Sequence, residues 1–187
     1  MKQNQCSLTI KNMTIDHYPD GEIIQITVEG QLLGQFIQSL GQTRILFDFT
    51  HPERTMVQLP EGIKKLIISV CDAILQLKNE EKHCLAAHLA TRCFEALTYF
   101  PNSFMRKGQY AIASSYWLEV LTCVRDWESR HNAKIHKGHP HFFLAYACLL
   151  SGDLETGFVY AYNAIKDDEA LGKVLSLIHI SEPTRPY

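Results

Sequence analysis

The sequence contains no long apolar run, no excess of basic residues and no motif that identifies an enzyme. Because it has no run of about 18 apolar residues and its amino terminus is polar, neither a transmembrane helix nor a secretory signal is indicated. A cytoplasmic protein is therefore expected. The 18 Lys and Arg residues against 20 Asp and Glu residues give a formal net charge of -2, which provides no electrostatic reason to expect a nucleic-acid partner.

Motifs for phosphate binding, ester hydrolysis and metal-dependent proteolysis are also missing, since the chain has no Gly-rich phosphate loop, no G-x-S-x-G and no H-E-x-x-H. The cysteines are dispersed without a C-x-x-C pair, at Cys6, Cys71, Cys84, Cys93, Cys123 and Cys148. Most of them lie in apolar helical patterns, which indicates free, buried thiols in a reducing compartment. These absences favour a scaffold over an enzyme, with no cofactor and no metal.

The first 60 residues predict a small α+β segment. Alternation of apolar and polar residues or short apolar runs predict strands at 7–15, 22–28, 44–49 and 55–59. The first two of these flank the turn sequence Pro19-Asp20-Gly21 and are expected to form a β-hairpin. Apolar residues at helical spacing predict a short helix at 31–40.

After Pro60 the apolar residues recur at helical spacing, which predicts an antiparallel helical array over 61–174. The predicted helices lie at 61–78, 81–100, 109–131, 140–151 and 154–168. Pro101 is expected to end the second of them, because proline lacks a backbone donor and its ring clashes inside a helix. The fold class is α+β and mainly α, and the short connections predict helical hairpins.

Two glycine turns, at Gly108 and Gly152, each open an amphipathic helix, as in a helical-hairpin repeat. The last two predicted helices resemble the tetratricopeptide family over 140–169. The residues that fall at positions characteristic of that repeat are Leu144, Ala145, Gly152, Gly157 and Ala164. The resemblance is partial, since this chain departs from the pattern at His141, Cys148 and Ala161.

A second, weaker resemblance to the same repeat covers residues 108–121. Its matching residues are Gly108, Ala113, Trp117 and Leu121, whereas Pro101 falls where the first helix of the unit should lie. The two glycines are 44 residues apart, and a regular unit is about 34 residues long. The resemblance therefore implies an irregular array. Because such repeats are usually stable only as several stacked copies, we expect an exposed apolar edge after the last one.

In the tetratricopeptide family the first helix of each unit lines a concave binding surface. The resemblance therefore implies that Phe142, Phe143 and Tyr146 bind a protein partner, either an apolar peptide or another helix. The alternative is that these aromatic residues pack in the core between helices. The expected function is protein-protein interaction or regulation through the helical-repeat surface.

An alternative function is suggested by Arg125 and His131, whose spacing is similar to the R-x4-6-H motif of HEPN-type ribonucleases. In that family the arginine and the histidine act on the scissile phosphate, usually across a dimer. The resemblance implies catalytic roles for both residues. The alternative is a cationic last turn, which stabilises any helix through its dipole.

Two other polar clusters are weaker candidates. A metal site would combine the loop residues His136, His139 and His141 with Cys84 and His88, which share one helix face. No second ligand pair at zinc-finger spacing accompanies them, so solvent-facing histidines are expected instead.

The acidic residues 167–169 are expected to form a solvated helix end. The segment 175–185 resembles the translation of a sequencing adapter, so the native sequence is expected to end near Val174.

Overall fold

The protein is described by a computed structural model, which covers residues 6–18, 23–41, 43–47 and 55–181. The strands are β1 (Cys6–Ile10), β2 (Met13–Tyr18), β3 (Ile23–Val28), β4 (Gln31–Leu32), β5 (Arg44–Phe47) and β6 (Thr55–Gln58). The helices are α1 (Leu33–Ser39), α2 (Glu61–Asn79), α3 (His83–Ala96), α4 (Tyr99–Met105), α5 (Tyr110–His131), α6 (Gly138–Ser151) and α7 (Leu154–Ser181). The fold is mainly helical with a small amino-terminal β structure, as the sequence predicts.

The first four strands form an antiparallel sheet in the order β1-β2-β3-β4. The prediction of one strand over 7–15 is wrong, because Ile10 pairs with Met13 across a two-residue turn. Lys11 adopts a φ of 54° there, and the following Asn12 is a common turn residue. The predicted hairpin between the next two strands is confirmed by β2 and β3, although its turn sequence lies outside the described residues.

The sheet buries one face against the helices. Its buried side chains alternate along the strands and are Ile10, Met13, Ile15, Ile26 and Val28. The predicted first helix begins at Leu33, two residues later than expected, because Gln31 and Leu32 pair with β3. β5 and β6 form a separate antiparallel pair, as predicted, and the backbone N–H of Val57 donates to the Ser115 hydroxyl on α5 at 3.1 Å.

Helix α2 ends at Asn79, one residue after the predicted end, but the second predicted helix is divided into α3 and α4. Pro101 does not end a helix, since it is the third residue of α4 and is buried. The amide groups of a first turn have no partner within the helix, so proline is tolerated there. The interruption falls instead at Leu97 and Thr98, where the Thr98 hydroxyl donates to the Glu95 carbonyl at 2.7 Å.

Helix α5 crosses the centre of the molecule and contacts α2, α4, α6 and β6. Its aromatic residues Tyr116, Trp117 and Trp127 are almost completely buried. The indole of Trp127 donates to Asp72 of α2 at 2.8 Å, and Asp72 also contacts Lys11 of the sheet. One hydrophobic core therefore extends from the sheet through α2 and α5 to α6.

The connection from α5 to α6 contains a buried ion pair. The Lys137 ammonium lies 2.5 Å from the Glu128 carboxylate, and both side chains are less than one tenth exposed. The same carboxylate accepts the backbone N–H of Ile135 at 2.7 Å. Asn132 ends α5 in the left-handed conformation, with a φ of 47°. Hydrogen bonds to Glu128 thus fix the course of the chain into α6.

Helices α6 and α7 form an antiparallel hairpin. Gly152 ends α6 with a φ of 87°, and the Asp153 carboxylate accepts the N–H of Thr156 at 3.2 Å, so the predicted turn and helix cap are both confirmed. Helix α7 continues to Ser181 instead of ending near 168. The acidic residues 167–169 are consequently in the middle of a helix and not at its end.

Candidate functional site

The hairpin carries a set of large apolar side chains that are exposed to solvent. Its members are Phe142, Tyr146 and Leu150 on α6, and Leu154, Phe158, Tyr162 and Ile165 on α7; Val159 is also exposed but is rotated by about 100° from Phe158 and is not included. We call this set the α6–α7 face. Each of its members is between 44% and 65% exposed, whereas aromatic residues on α5 are almost completely buried. An exposed apolar edge on the last hairpin agrees with the expectation from the sequence.

Helix geometry places both halves of the α6–α7 face on the same side of the hairpin. On α6, Phe142 directly follows His141, which contacts α7. On α7, Phe158 directly follows Gly157, which packs against α6. One residue corresponds to a rotation of about 100° around a helix. Because the helices are antiparallel, equal rotations away from the shared contact turn both apolar stripes to the same side.

Small residues allow the two helices of the hairpin to approach closely. A Cβ atom added to Gly157 would lie 2.6 Å from the Leu149 side chain and 3.3 Å from its backbone nitrogen. Ala145 and Ala164 are also buried. Side chains of this size reduce the distance between packed helices. The close approach makes the α6–α7 face one continuous surface.

Two histidine-aspartate contacts connect the middle of α7 to the start of α6 and to the loop before it. Nδ1 of the buried His141 lies 3.0 Å from Oδ2 of Asp167, in an ion-pair contact without hydrogen-bond geometry. Nε2 of His136 lies 3.3 Å from Oδ1 of Asp168. These contacts, together with the Gly157 packing, fix the orientation of α7 on α6.

The local environment shifts the pKa values of two of these groups. Burial lowers the pKa of His136 below its ordinary value of 6.5 and outweighs the nearby Asp167 and Asp168, which raise it. Burial raises the pKa of Asp167, but His141 and Lys137 have the stronger, opposite effect, so that this pKa is lowered. The Asp167 carboxylate therefore stays ionised. It lies beside the start of α6, where the helix dipole favours negative charge.

The three aromatic residues predicted to bind a partner have different surroundings. Phe142 and Tyr146 are 56% and 48% exposed, and their rings stack with an interplanar angle of 5°. Phe143 is half-buried and stacks on Trp117 of α5 at a centroid distance of 5.4 Å. The structure thus places Phe142 and Tyr146 on the α6–α7 face and Phe143 between α5 and α6.

Sequence reasoning missed the α7 half of this surface. Leu154, Phe158, Tyr162 and Ile165 recur at helical spacing, and small residues precede three of them, at Gly157, Ala161 and Ala164. That combination indicates that the small residues lie on the side of the helix that packs closely, and that the large apolar residues lie on the adjacent side. The spacing of these residues is visible in the sequence. However, a second row of apolar residues on a helix is usually interpreted as part of the hydrophobic core.

The two residues of the nuclease alternative lie on different sides of α5. The Arg125 guanidinium is 5.8 Å from the centre of the Tyr160 ring on α7. The His131 ring stacks on Trp127 at 4.3 Å, and its Nδ1 contacts the Trp127 carbonyl at 2.9 Å. Six residues of helix rotate the second position by about 240° from the first. Within one chain, these side chains do not face one phosphate-sized site.

The residues of the weaker metal alternative are also separated. His136 and His141 contact aspartates of α7, whereas Cys84 and His88 are exposed on α3. Over the ranges that the structure covers, no group of three or more His, Cys, Asp and Glu side chains is arranged to hold a metal ion.

All cysteines whose side chains are described are free. Cys71, Cys93 and Cys148 are buried, whereas Cys84 is exposed, contrary to the expectation of burial. Burial raises the pKa of Cys93 to about 12, which keeps this thiol protonated and unreactive.

Comparisons with protein-family models, with curated proteins and with solved structures give no match to this chain. No helix in the described part of the chain is long and apolar enough to cross a membrane.

Proposed function

We propose that this protein is an interaction scaffold that binds an amphipathic helix of a protein partner on the α6–α7 face. The observation that carries the proposal is the exposure of seven large apolar side chains on one side of the hairpin. Contiguous exposed apolar surface is typical of protein interaction sites. We also propose that this hairpin is a tetratricopeptide-like unit, which the capping Gly152 and the small residues at the helix contact support.

A helix is the partner that best fits the shape of this surface. Side chains spaced four residues apart on two antiparallel helices form ridges with a groove between them, and such a groove accepts the ridges of a third helix. The molecule contains an example of that packing, since α5 covers the other flank of α6 and its Trp117 stacks on Phe143. A partner helix would cover Phe158 and Tyr162 in the same way.

Aromatic residues are expected to provide most of the binding energy. Phe142 and Tyr146 are already stacked on each other, and the Lys166 ammonium lies 4.8 Å from the centre of the Tyr162 ring. Ordered aromatic groups lose little conformational entropy on binding and commonly form the energetic centre of an interface. The partner helix should therefore present leucine-like or aromatic side chains to these rings.

Site-specific photo-crosslinking in cells tests the proposal. A benzophenone amino acid at position 158 lies in the α6–α7 face, and the same group at Ser129, which is exposed on α5, is the matched control. We expect position 158 to crosslink to an apolar helix side of another polypeptide, identified by mass spectrometry of the joined peptides. Adding Tyr162→Asp should abolish this crosslink.

Equal crosslinking at positions 158 and 129, or crosslinks from 158 that are unaffected by Tyr162→Asp, would reject the scaffold proposal. Crosslinks only between two copies of this chain would replace it with self-association. The oligomeric state, measured by sedimentation with and without Tyr162→Asp, identifies that outcome.

A further inference from the structure

A cleft separate from the α6–α7 face lies between α2, α3, α7 and the loop that connects α5 to α6. Its volume is about 400 Å³, which is within the range of small-molecule binding sites in proteins. The elements that surround it come from both halves of the helical array. A ligand in this cleft would contact α3 and α7 simultaneously.

The base of the cleft is apolar. Ile74 of α2 and Ala86 and Ala90 of α3 line it and are each 1% exposed, and Leu171 of α7 lines the facing wall. The alanines leave space between α3 and α7 that larger side chains would fill. A surface of this kind binds the apolar part of a ligand by removing it from water.

One end of the cleft carries positive charge that the protein does not fully neutralise. Lys78 and Lys134 line this end, and the buried Lys137 lies close behind it. The Glu128 carboxylate contacts two of these three lysines. It contacts Lys137 at 2.5 Å, but its distance to Lys134 is 3.9 Å. Asp167 also acts electrostatically on Lys137, so two carboxylates face three ammonium groups.

Lys78 is the least compensated of the three lysines. Its ammonium donates to the Lys134 carbonyl oxygen at 2.6 Å, and it has no ion pair with a carboxylate among the described side chains. Burial lowers the pKa of Lys78, Lys137 lowers it further, and Glu128 only partly opposes this effect. A half-buried cation without a carboxylate partner is stabilised when an anion binds beside it.

The acidic residue of the cleft does not pair with the two lysines that line it. Asp167 lines the opposite wall, and its carboxylate contacts the ring of His141 at 3.0 Å. It forms no ion pair with Lys78 or Lys134 among the described side chains. The cleft is therefore apolar at its base and electropositive at the end formed by α2 and the loop.

We propose that this cleft binds a small organic carboxylate, with its apolar part on the alanines of α3 and its carboxylate beside Lys78 and Lys134. A carboxylate matches the ammonium groups by charge and by hydrogen bonding, and an aliphatic body matches the base. The proposal is independent of the α6–α7 face, because none of the seven residues of that face lines the cleft.

Calorimetric titration with octanoate tests the proposal, with octanol as the uncharged probe of the same length. We expect octanoate to bind the full chain at one site. Its affinity should be at least about tenfold higher than that of octanol, because one charged contact contributes a difference of this size. Lys78→Met should remove that preference for the carboxylate. Lys82→Met is the matched control, since Lys82 is exposed near the same end of α2 and does not line the cleft.

A second variant, Ala87→Leu, fills the cleft without changing its charge. Ala87 lines the cleft on α3 and is only partly buried, so circular dichroism should show an unchanged fold. We expect Ala87→Leu to weaken both octanoate and octanol. Equal binding of octanoate by the wild type, Lys78→Met and Ala87→Leu proteins, or no binding to the wild type at millimolar concentration, would overturn the proposal. Either result leaves the crosslinking test of the α6–α7 face unaffected.

Discussion

Helices α5 and α7 are both long, both follow a glycine turn and both carry aromatic residues, but they use those residues differently. In α5, Trp117 and Trp127 are buried between neighbouring helices, whereas Phe158 and Tyr162 of α7 are mostly exposed. The difference follows from position, since α5 has neighbours on several sides and α7 packs mainly on α6. Aromatic content therefore identifies an amphipathic helix but does not show whether its second apolar side is core or surface.

The turns that begin these two helices illustrate the same point. Gly108 and Gly152 both have a positive φ, at 69° and 87°, a conformation that glycine adopts without steric cost. The two turns therefore have the same backbone conformation, although the aromatic residues of α5 are buried and those of α7 are exposed.

Replacing one aromatic residue on each helix should give the largest contrast. Trp127→Ala removes a completely buried indole and its hydrogen bond to Asp72, and we expect a loss of about 3–5 kcal/mol in the free energy of unfolding. Tyr162→Ala, at a residue that is 58% exposed, should change it by less than about 0.5 kcal/mol. Urea denaturation of both variants measures this contrast. A similar loss in both would mean that the α6–α7 face is covered within the isolated chain.

Two glycines of α7 provide a comparison within one helix. Gly157→Ala places a methyl group against Leu149, and we expect it to destabilise the protein by about 1–3 kcal/mol through overpacking. Gly172→Ala has no neighbouring atom within 4 Å and should stabilise the helix by about 0.5–1 kcal/mol, because alanine is the better helix former. Thermal denaturation gives the sign of each change. Equal stabilisation by the two substitutions would show that α6 and α7 are not closely packed at Gly157.

The smallest expected effect is a pH dependence at the α6–α7 contact. The pKa of His136 is lowered in the folded protein, so the unfolded chain binds the proton more readily below pH 6.5. The free energy of unfolding should therefore decrease as the pH falls through that region. The loss should be complete once the pH is below the folded-state pKa.

His136→Gln should reduce this decrease, whereas His88→Gln, at an exposed position of α3, should leave it unchanged. Chemical denaturation between about pH 5 and 7.5 measures both variants. Identical pH profiles for the wild type and His136→Gln proteins would contradict the assignment.

The sequence predicted most elements because their signals are local. The apolar spacing of α2, the cap at Asp153 and the left-handed Gly152 each depend on residues within a few positions of one another. Errors occurred where two local signals competed. At Lys11 and Asn12 the alternating pattern concealed a tight turn, and at Pro101 a helix-breaking residue fell in a first turn, where its missing N–H group is not needed.

The candidate sites were less predictable than the fold. Phe142 and Tyr146 were identified through a family resemblance, but the α7 half of the face was not, because exposure depends on which neighbours are present. The cleft beside Lys78 could not be predicted at all. It brings together α2, α3, a loop and α7, and its charge depends on Glu128 being held by Lys137 and Ile135, which are distant from Lys78 in sequence.

Most helices and turns can be located from the sequence, since backbone preferences and hydrophobic periodicity act over short distances. Which apolar side of each helix is covered, and which charges remain uncompensated, follows from the packing of the whole chain. Burial and electrostatic compensation depend on groups that folding brings together from distant parts of the sequence. The exposed rings of α7 and the cation of Lys78 are both results of that arrangement.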